Sequence, residues 1–249
     1  MRAVQVVRLD GPEGVDLVDV PEPAPADDQV LVEVQAVGVS FPDLLLSGGR
    51  YQLQPDLPFT LGVDLAGVVR AAPESSGVRA GDRVAGCLPY GAAADLVPLD
   101  PGSVFPLPER MTLVQGAALP MNYLTAQFAL TARAGLAKGE TVLVHGAAGG
   151  LGTACLQVAK GLGARTIGVV STQEKAVTAR AAGADDVVLV DGFLDAVKRL
   201  TGGRGVDVVA DVVGGDLMTD SLRSLAPLGR LLVLGFTAGS IPQVRVNRL

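Results

Sequence analysis

The chain has 249 residues, 49% of them hydrophobic, and a formal net charge of −6. That length provides for one or two domains with a sizeable core, and an acidic balance without basic clusters excludes the footprint of a nucleic-acid binder or of a protein held electrostatically on a membrane surface. Asp, Arg, Pro or Gly interrupts every apolar run before it can span a bilayer, the N-terminus MRAVQVVRLD alternates like a strand and lacks the layout of a signal peptide, and Cys87 and Cys155 are too few for a disulfide framework, so a reducing cytoplasm is the expected compartment.

Up to Met111 the pattern is of short strands joined by proline and glycine turns. The clearest strands are predicted at 3–8, 29–39, 60–70 and 95–99. Pro21, Pro23 and Pro25 punctuate one connection, and Pro106 and Pro108 another. An irregular, mostly β domain is expected over 1–111. Residues 112–133 read as helical, with Leu113, Ala117, Leu124, Phe128 and Leu130 on an apolar side and a break at Pro120.

After Gly139 strands and helices alternate. Strands are predicted at 141–145, 166–170, 187–190, 206–212 and 230–234, and helices at 150–162, 173–182, 194–201 and 216–225. The strands are near-continuous Val, Leu and Ile runs, as when both faces of a sheet are covered. The fold class expected over 112–249 is therefore α/β: a doubly wound parallel sheet with crossover helices.

Residues 143–160, LVHGAAGGLGTACLQVAK, read as a buried strand, a glycine-rich turn and an amphipathic helix. Gly146, Gly149 and Gly152 stand three apart, with Gly150 inserted. Side chains at these positions would hold a pyrophosphate away from the backbone; without them, amide groups and the helix N-terminus can face it. A tight turn with no ligand is the alternative, and the strand before, the helix after and the βα units that follow weigh against it. Cys155 falls on the helix face shared by Leu151, Val158 and Leu162, the place of a small packing residue. The tip of the next strand reads VVSTQEK. Ser171, Thr172 and Lys175 there suit a 2′-phosphate, where an NAD site commonly carries a carboxylate. NADPH is thus favoured over NADH; Glu174 nearby counts against this, its alternative reading being a favourable first-turn helix charge.

Four segments in order, AVGVSFPDLLLSGG (36–49), PFTLGVDLAGVV (58–69), GVRAGDRVAG (77–86) and VLVHGAAGGLG (142–152), carry a resemblance to the medium-chain dehydrogenase/reductase superfamily, within it to the zinc-free quinone oxidoreductases that include the zeta-crystallins. The resemblance implies a GroES-like N-terminal domain, a Rossmann domain and an active site in the cleft between them. It places Gly146, Ala148, Gly149, Gly150, Leu151 and Gly152 against the pyrophosphate, and Thr125 (in the stretch opened by Asn122 and Tyr123) beside the nicotinamide. Val213, Gly235 and Phe236, beyond the carboxyl ends of later strands, are expected cofactor contacts. The tyrosine that relatives carry beside a 2′-phosphate is replaced here by Val190 or Asp191.

Zinc-dependent members of that superfamily place ligands where this chain has Ser40, Val63 and a residue near Met121. Three protein ligands are needed for a catalytic zinc, so none is expected, and Asp64 is read as bonding neighbouring loop amides. His145, the one histidine, reads as a strand-end packing or hydrogen-bonding residue. Without a Lewis acid the acceptor must absorb the electron pair itself, as a quinone, a conjugated enone or an enoyl thioester does. The expected catalytic residues are Tyr51, as a hydrogen-bond or proton donor or else a cleft-wall residue, and Ser40, where relatives carry Asn; Asp43 is read as a helix cap. The expected function is NADPH-dependent reduction of a quinone-like acceptor, with an enoyl-thioester reductase and a non-catalytic NADPH-binding sensor or structural protein as alternatives. The last residues, VRVNRL, read as part of a helix before a sixth strand, so the sequence is expected to belong to a longer protein, a homodimer if that strand is present.

Overall fold

The computed structural model describes residues 1–241, 243 and 244; the remainder of the expected C-terminal helix lies outside the described residues. The chain forms two compact units, Met1–Met121 and Asn122–Leu249.

The first unit is built from β1 (Arg2–Val6), β2 (Val15–Asp19), β3 (Val30–Gly38), α1 (Phe41–Ser47), β4 (Phe59–Thr60), β5 (Asp64–Ala71), β6 (Arg83–Cys87), β7 (Leu96–Leu99), β8 (Val104–Pro106) and α2 (Leu113–Ala117). Two antiparallel sheets result, of order β2-β1-β4 and β7-β3-β5-β6-β8. Val30, Val32, Leu65, Val69, Val84, Val97, Leu99 and Val104 form the core of the larger sheet. The expected strand at 60–70 is two strands, because the chain turns at Gly62, where φ is +97°. Three strands escape sequence patterning: β2 is largely exposed, β6 contains Ala85 and Gly86 in place of bulky apolar residues, and β8 has three residues. The division expected after Met111 lies after Met121 in the structure: α2 packs on β3, β5 and β6 and so belongs with the first unit.

The helical stretch is also more divided than its apolar pattern implies. Thr112 caps α2 through the amide of Gln115, and Pro120 opens α3 (Pro120–Gln127) at a position where a missing N–H costs nothing. The chain then widens into a π-helical turn, Phe128–Arg133.

The second unit contains β9 (Thr141–His145), α4 (Gly150–Gly161), β10 (Arg165–Val170), α5 (Gln173–Ala181), β11 (Asp186–Leu189), α6 (Phe193–Leu200), β12 (Val206–Asp211), α7 (Met218–Arg223) and β13 (Leu225–Val233). All pairings are parallel, in the order β11-β10-β9-β12-β13. The expected α/β doubly wound sheet is thus present. Alternate residues of each strand serve opposite faces. Val142, Val144, Val208 and Ala210 pack with Ala154 and Cys155 of α4 and Ala176 and Ala179 of α5. Leu143, Ile167, Val169 and Val209 pack with Phe193 and Val197 of α6. β13 begins earlier than expected: its register on β12 jumps from Leu225 to Arg230, throwing out a loop where Leu228 has φ +64° and is fully exposed.

Among the described residues no helix is long and apolar enough to cross a membrane.

Candidate functional site

The order β11-β10-β9-β12-β13 reverses direction between β9 and β12. In such sheets ligands bind beyond the carboxyl ends of the strands at that reversal. The glycine-rich turn leaves β9 there, Ser171 and Thr172 leave β10, Val213 leaves β12, and Gly235 and Phe236 leave β13. The sheet therefore brings the expected cofactor contacts of four separate segments to one edge.

Each turn glycine has its own reason. Gly146 has φ +61°, and a Cβ on it would stand 2.7 Å from Val212 Cγ2. A Cβ on Gly152 would stand 2.1 Å from the Gly146 carbonyl oxygen, so this glycine lets α4 close down on the turn. Gly149 is different: an added Cβ meets only Gly146 O, at 3.4 Å. Its role is to leave the outer surface bare, and Gly149 and Gly150 are exposed. Gly149 caps α4 without any side-chain bond, and the first amide to close a helical bond is Thr153 N–H, onto Gly149 O at 2.8 Å. The amides of Gly150, Leu151 and Gly152 are thus first-turn donors with the positive end of the helix dipole behind them, a cradle for an anionic phosphate. Ala148, half-buried, precedes them on the turn.

Asn122, expected at the opening of the stretch beside the nicotinamide, also meets the glycine-rich turn. Its side-chain nitrogen lies 2.9 Å from where a Cβ of Gly150 would stand, so the amide rests directly on the turn. Thr125, half-buried, is three residues on and shares that face of α3. Sequence spacing placed both on one helix; the docking of that helix on the turn is a tertiary fact.

The other two loops are laced together. Ala238 N–H donates to Val213 O at 3.0 Å and Thr237 Oγ1 donates to Val212 O at 3.2 Å. Gly235 permits this closeness, since a Cβ there would come within 3.0 Å of Val212 O. Phe236 remains exposed.

At the tip of β10, Lys175 Nζ donates to Ser171 Oγ at 3.1 Å, and Thr172 Oγ1 accepts from Lys175 N–H at 3.2 Å to cap α5. The ammonium and the two hydroxyls are exposed and gathered at one point. A monoester dianion fits that chemistry. Lys175→Ala is expected to raise the dissociation constant for NADPH about tenfold while leaving that for NADH within twofold; equal losses for both nucleotides in fluorescence titrations would remove the phosphate role.

In the first unit, Ser40 caps α1. Its N–H and its hydroxyl both donate to Asp43 Oδ2, at 2.8 and 2.9 Å, while Asp43 Oδ1 accepts Gly62 N–H at 3.1 Å. The Ser40 proton is thus spent on a structural carboxylate. Tyr51, half-buried, packs against the small cluster of Val6, Leu46 and Phe59. Asp64 is 2% exposed and accepts Met121 N–H on Oδ1 at 2.9 Å. Burial pushes its carboxyl up to about 6, against the opposing pull of that amide and of the Cys87 thiol. Burial and the Asp64 charge push Cys87 up to about 11.

This donor set does not suit a catalytic zinc. Ser40 is committed to Asp43, Val63 is an apolar core residue and Asp64 holds a backbone amide, so these positions offer fewer than the three protein ligands a catalytic zinc needs. Among the described residues no three His, Cys, Asp or Glu side chains are grouped to hold a metal ion.

Comparison with known proteins agrees with these two halves. Residues 26–109 match the alcohol dehydrogenase GroES-like domain family, and residues 150–249 match a family described as zinc-binding dehydrogenase. The chain is 43% identical over 225 residues to quinone oxidoreductase-like protein 2 of Rattus norvegicus, covering 89% of this chain and 64% of that protein. It is 36% identical over 246 residues to the quinone oxidoreductase of Homo sapiens, covering 94% of this chain and 73% of the human one. The fold superposes on the quinone oxidoreductase of Thermus thermophilus, solved also in complex with NADPH, with a TM-score of 0.85 and 36% identity over 100% of this chain and 77% of that one. The chain thus spans 64% of the rat relative's length and about three quarters of the other two. With the glycine-rich turn, the two unit folds and these identities taken together, the chain belongs to the quinone oxidoreductases of the medium-chain dehydrogenase/reductase superfamily.

Proposed function

We propose that the protein is a zinc-independent, NADPH-dependent oxidoreductase that reduces a quinone or another conjugated carbonyl compound. The observation that carries this reading is the glycine-rich cradle of first-turn amides after β9, set at the reversal of a parallel sheet with Lys175 and Ser171 at the neighbouring strand tip. When bound, NADPH supplies a hydride. The chain's own part is to bind and orient. The amides of Gly150, Leu151 and Gly152 hold the pyrophosphate, and Ser171, Thr172 and Lys175 hold the 2′-phosphate. Asn122 and Thr125 contact the cofactor along α3, and Val213, Gly235 and Phe236 wall it from the far loops.

Two electrons and one proton must reach a quinone to give a hydroquinone monoanion, and a second proton completes the hydroquinone. An acceptor that delocalises the negative charge needs positioning and hydrogen bonds more than a Lewis acid, which is what a donor set unsuited to zinc can offer. Of the two proposed catalytic residues, Ser40 donates its only hydroxyl proton to Asp43 and offers an acceptor just its lone pairs. Tyr51, with a phenol, is the proposed hydrogen-bond donor.

Steady-state NADPH oxidation with a series of quinones, alongside a crotonyl thioester, tests the reading. Turnover of the quinones is expected; absence of NADPH oxidation with every conjugated acceptor would overturn it. Chelator treatment is expected to leave the rate unchanged. One tightly bound zinc per chain, needed for turnover, would refute the metal-free part.

A further inference from the structure

His145 and Asp211 end the two central strands of the parallel sheet. The register sets Ala210 beside Val144, so the residues that follow stand side by side on the face covered by α6 and α7. Both are 0% exposed. Asp211 Oδ1 accepts the N–H groups of Val213 and Gly214, each at 2.9 Å. Its Oδ2 has no partner among the described residues, and neither has His145 Nδ1. The other ring nitrogen, Nε2, lies 2.8 Å from Ser221 Oγ, and Phe193 meets the imidazole edge-on with centroids 4.9 Å apart.

Ser221 Oγ lies 2.8 Å from Leu217 O as well: its one hydroxyl hydrogen goes either to that carbonyl, with the imidazole hydrogen on Nε2, or to Nε2, with the imidazole hydrogen on Nδ1. Burial favours the neutral ring, while the Asp211 charge acts on it in the opposite sense. A buried carboxylate oxygen and a buried ring nitrogen are each left without a hydrogen-bond partner among the described residues, which is costly. The hydrogen bonds of the sheet itself use neither atom.

What both residues adjoin is the glycine-lined edge. Gly146 directly follows His145. Val213 and Gly214 follow Asp211, with Gly214 at φ 70°, ψ −148° and Gly215 at φ 64°. That left-handed pair has one carboxylate oxygen holding its approach. The same loop touches the turn, since Val212 Cγ2 lies 2.7 Å from where a Cβ of Gly146 would stand.

We propose that Asp211 and His145 are positioning residues for the dinucleotide: Asp211 clamps the loop that walls the glycine-rich turn, His145 stands beside that clamp at the end of the strand leading into the turn, and cofactor occupancy is coupled to the pair. This rests on the reading of the turn as an NADPH site, and the test separates the two.

His145 is the chain's only histidine, so tag-free protein gives a single set of imidazole signals in a 1H–15N spectrum. NADPH binding is measured first, by fluorescence titration. The wild-type ring is expected to show one neutral tautomer and to shift its 15N signals on saturation with NADPH. Asp211→Ala is expected to raise the NADPH dissociation constant about a hundredfold, and Asp211→Asn, which keeps an acceptor for the two amides, about tenfold. If the alanine variant does not fold, the asparagine variant and the wild-type spectrum decide. NADPH binding with the ring signals unmoved, or with the Asp211→Asn constant unchanged, overturns the pairing and leaves the cofactor site standing. Wild-type protein that binds no NADPH overturns both.

Discussion

Gly152→Ala is expected to cost about 3 kcal/mol or more of stability and, in whatever fraction folds, about a hundredfold in NADPH affinity. The new methyl would stand 2.1 Å from the Gly146 carbonyl oxygen, 2.8 Å from its carbon and 2.9 Å from Ala147 Cα. These are backbone atoms, which no rotamer change can move aside. Either α4 lifts from β9 or the turn opens, and both displace the amides of Gly150 and Leu151 from the positions that form the cradle. Gly149→Ala is the informative partner. Its methyl meets one oxygen at an ordinary distance, and its φ of −84° is open to any residue. The fold should lose no more than about 1 kcal/mol, the cost of alanine at an N-cap, while the methyl projects from the exposed face and lowers NADPH affinity about tenfold. Thermal melts and fluorescence titrations of the two variants check this. Equal stability losses at both positions, or full affinity in Gly152→Ala, would mean that the turn does not work as described.

Asp64→Asn is expected to alter how stability depends on pH. The folded-state carboxyl is pushed up to about 6, by burial first, from an ordinary value of 3.8. Below the ordinary value both folded and unfolded chains hold the proton, and the group contributes nothing to the pH dependence. As pH rises towards 6 the unfolded chain releases its proton while the folded chain keeps it, so stability falls with pH across that window. Above about 6 the full penalty persists, about 3 kcal/mol at roughly 1.4 kcal/mol per unit. Asparagine keeps an acceptor for Met121 N–H but cannot titrate. The stability of Asp64→Asn relative to wild type should therefore improve by up to about 3 kcal/mol between pH 4 and pH 7, whatever its offset at pH 4. Urea unfolding across that range measures it, since every other titrating group is common to both proteins. Parallel curves would show that Asp64 is ionised throughout, as a carboxylate beside a tightly held cation would be.

These two positions differ in how they could be read. The need for a small residue at Gly152 is visible in a strand–glycine–helix segment, because the period of that motif reflects local geometry: a sharp turn, then a helix starting over it. Lys175 and Ser171 are legible for the same reason, being four residues apart across a strand tip and a first helical turn. The whole parallel unit was similarly open to reading. Strands buried on both faces are continuous runs of Val, Leu and Ile, and helices between them carry one apolar side.

The first unit was less legible. β2, β6 and β8 owe their strand state to partners remote in the chain, such as the antiparallel registers of Val15–Asp19 on Arg2–Val6 and Arg83–Cys87 on Asp64–Val68, and little in their own pattern declares it. α2 reads as one side of a longer helix until its packing on β3 and β5 assigns it to the β unit.

The residues with the most unusual environments were the least legible of all. A sequence shows an aspartate at 64 and a cysteine at 87; antiparallel pairing of β5 with β6 sets them side by side and raises both. It shows one histidine, at 145, and a serine 76 residues on; the approach of α7 to the end of β9 makes them partners. Local propensity and hydrophobic period are written in neighbouring residues, so the sequence by itself determined the fold class and the glycine-lined cradle. Burial and polar pairing depend on segments far apart in the chain, so tertiary structure alone decided which side chains lose water, which find a partner and which buried polar atoms, among the described residues, are left without one.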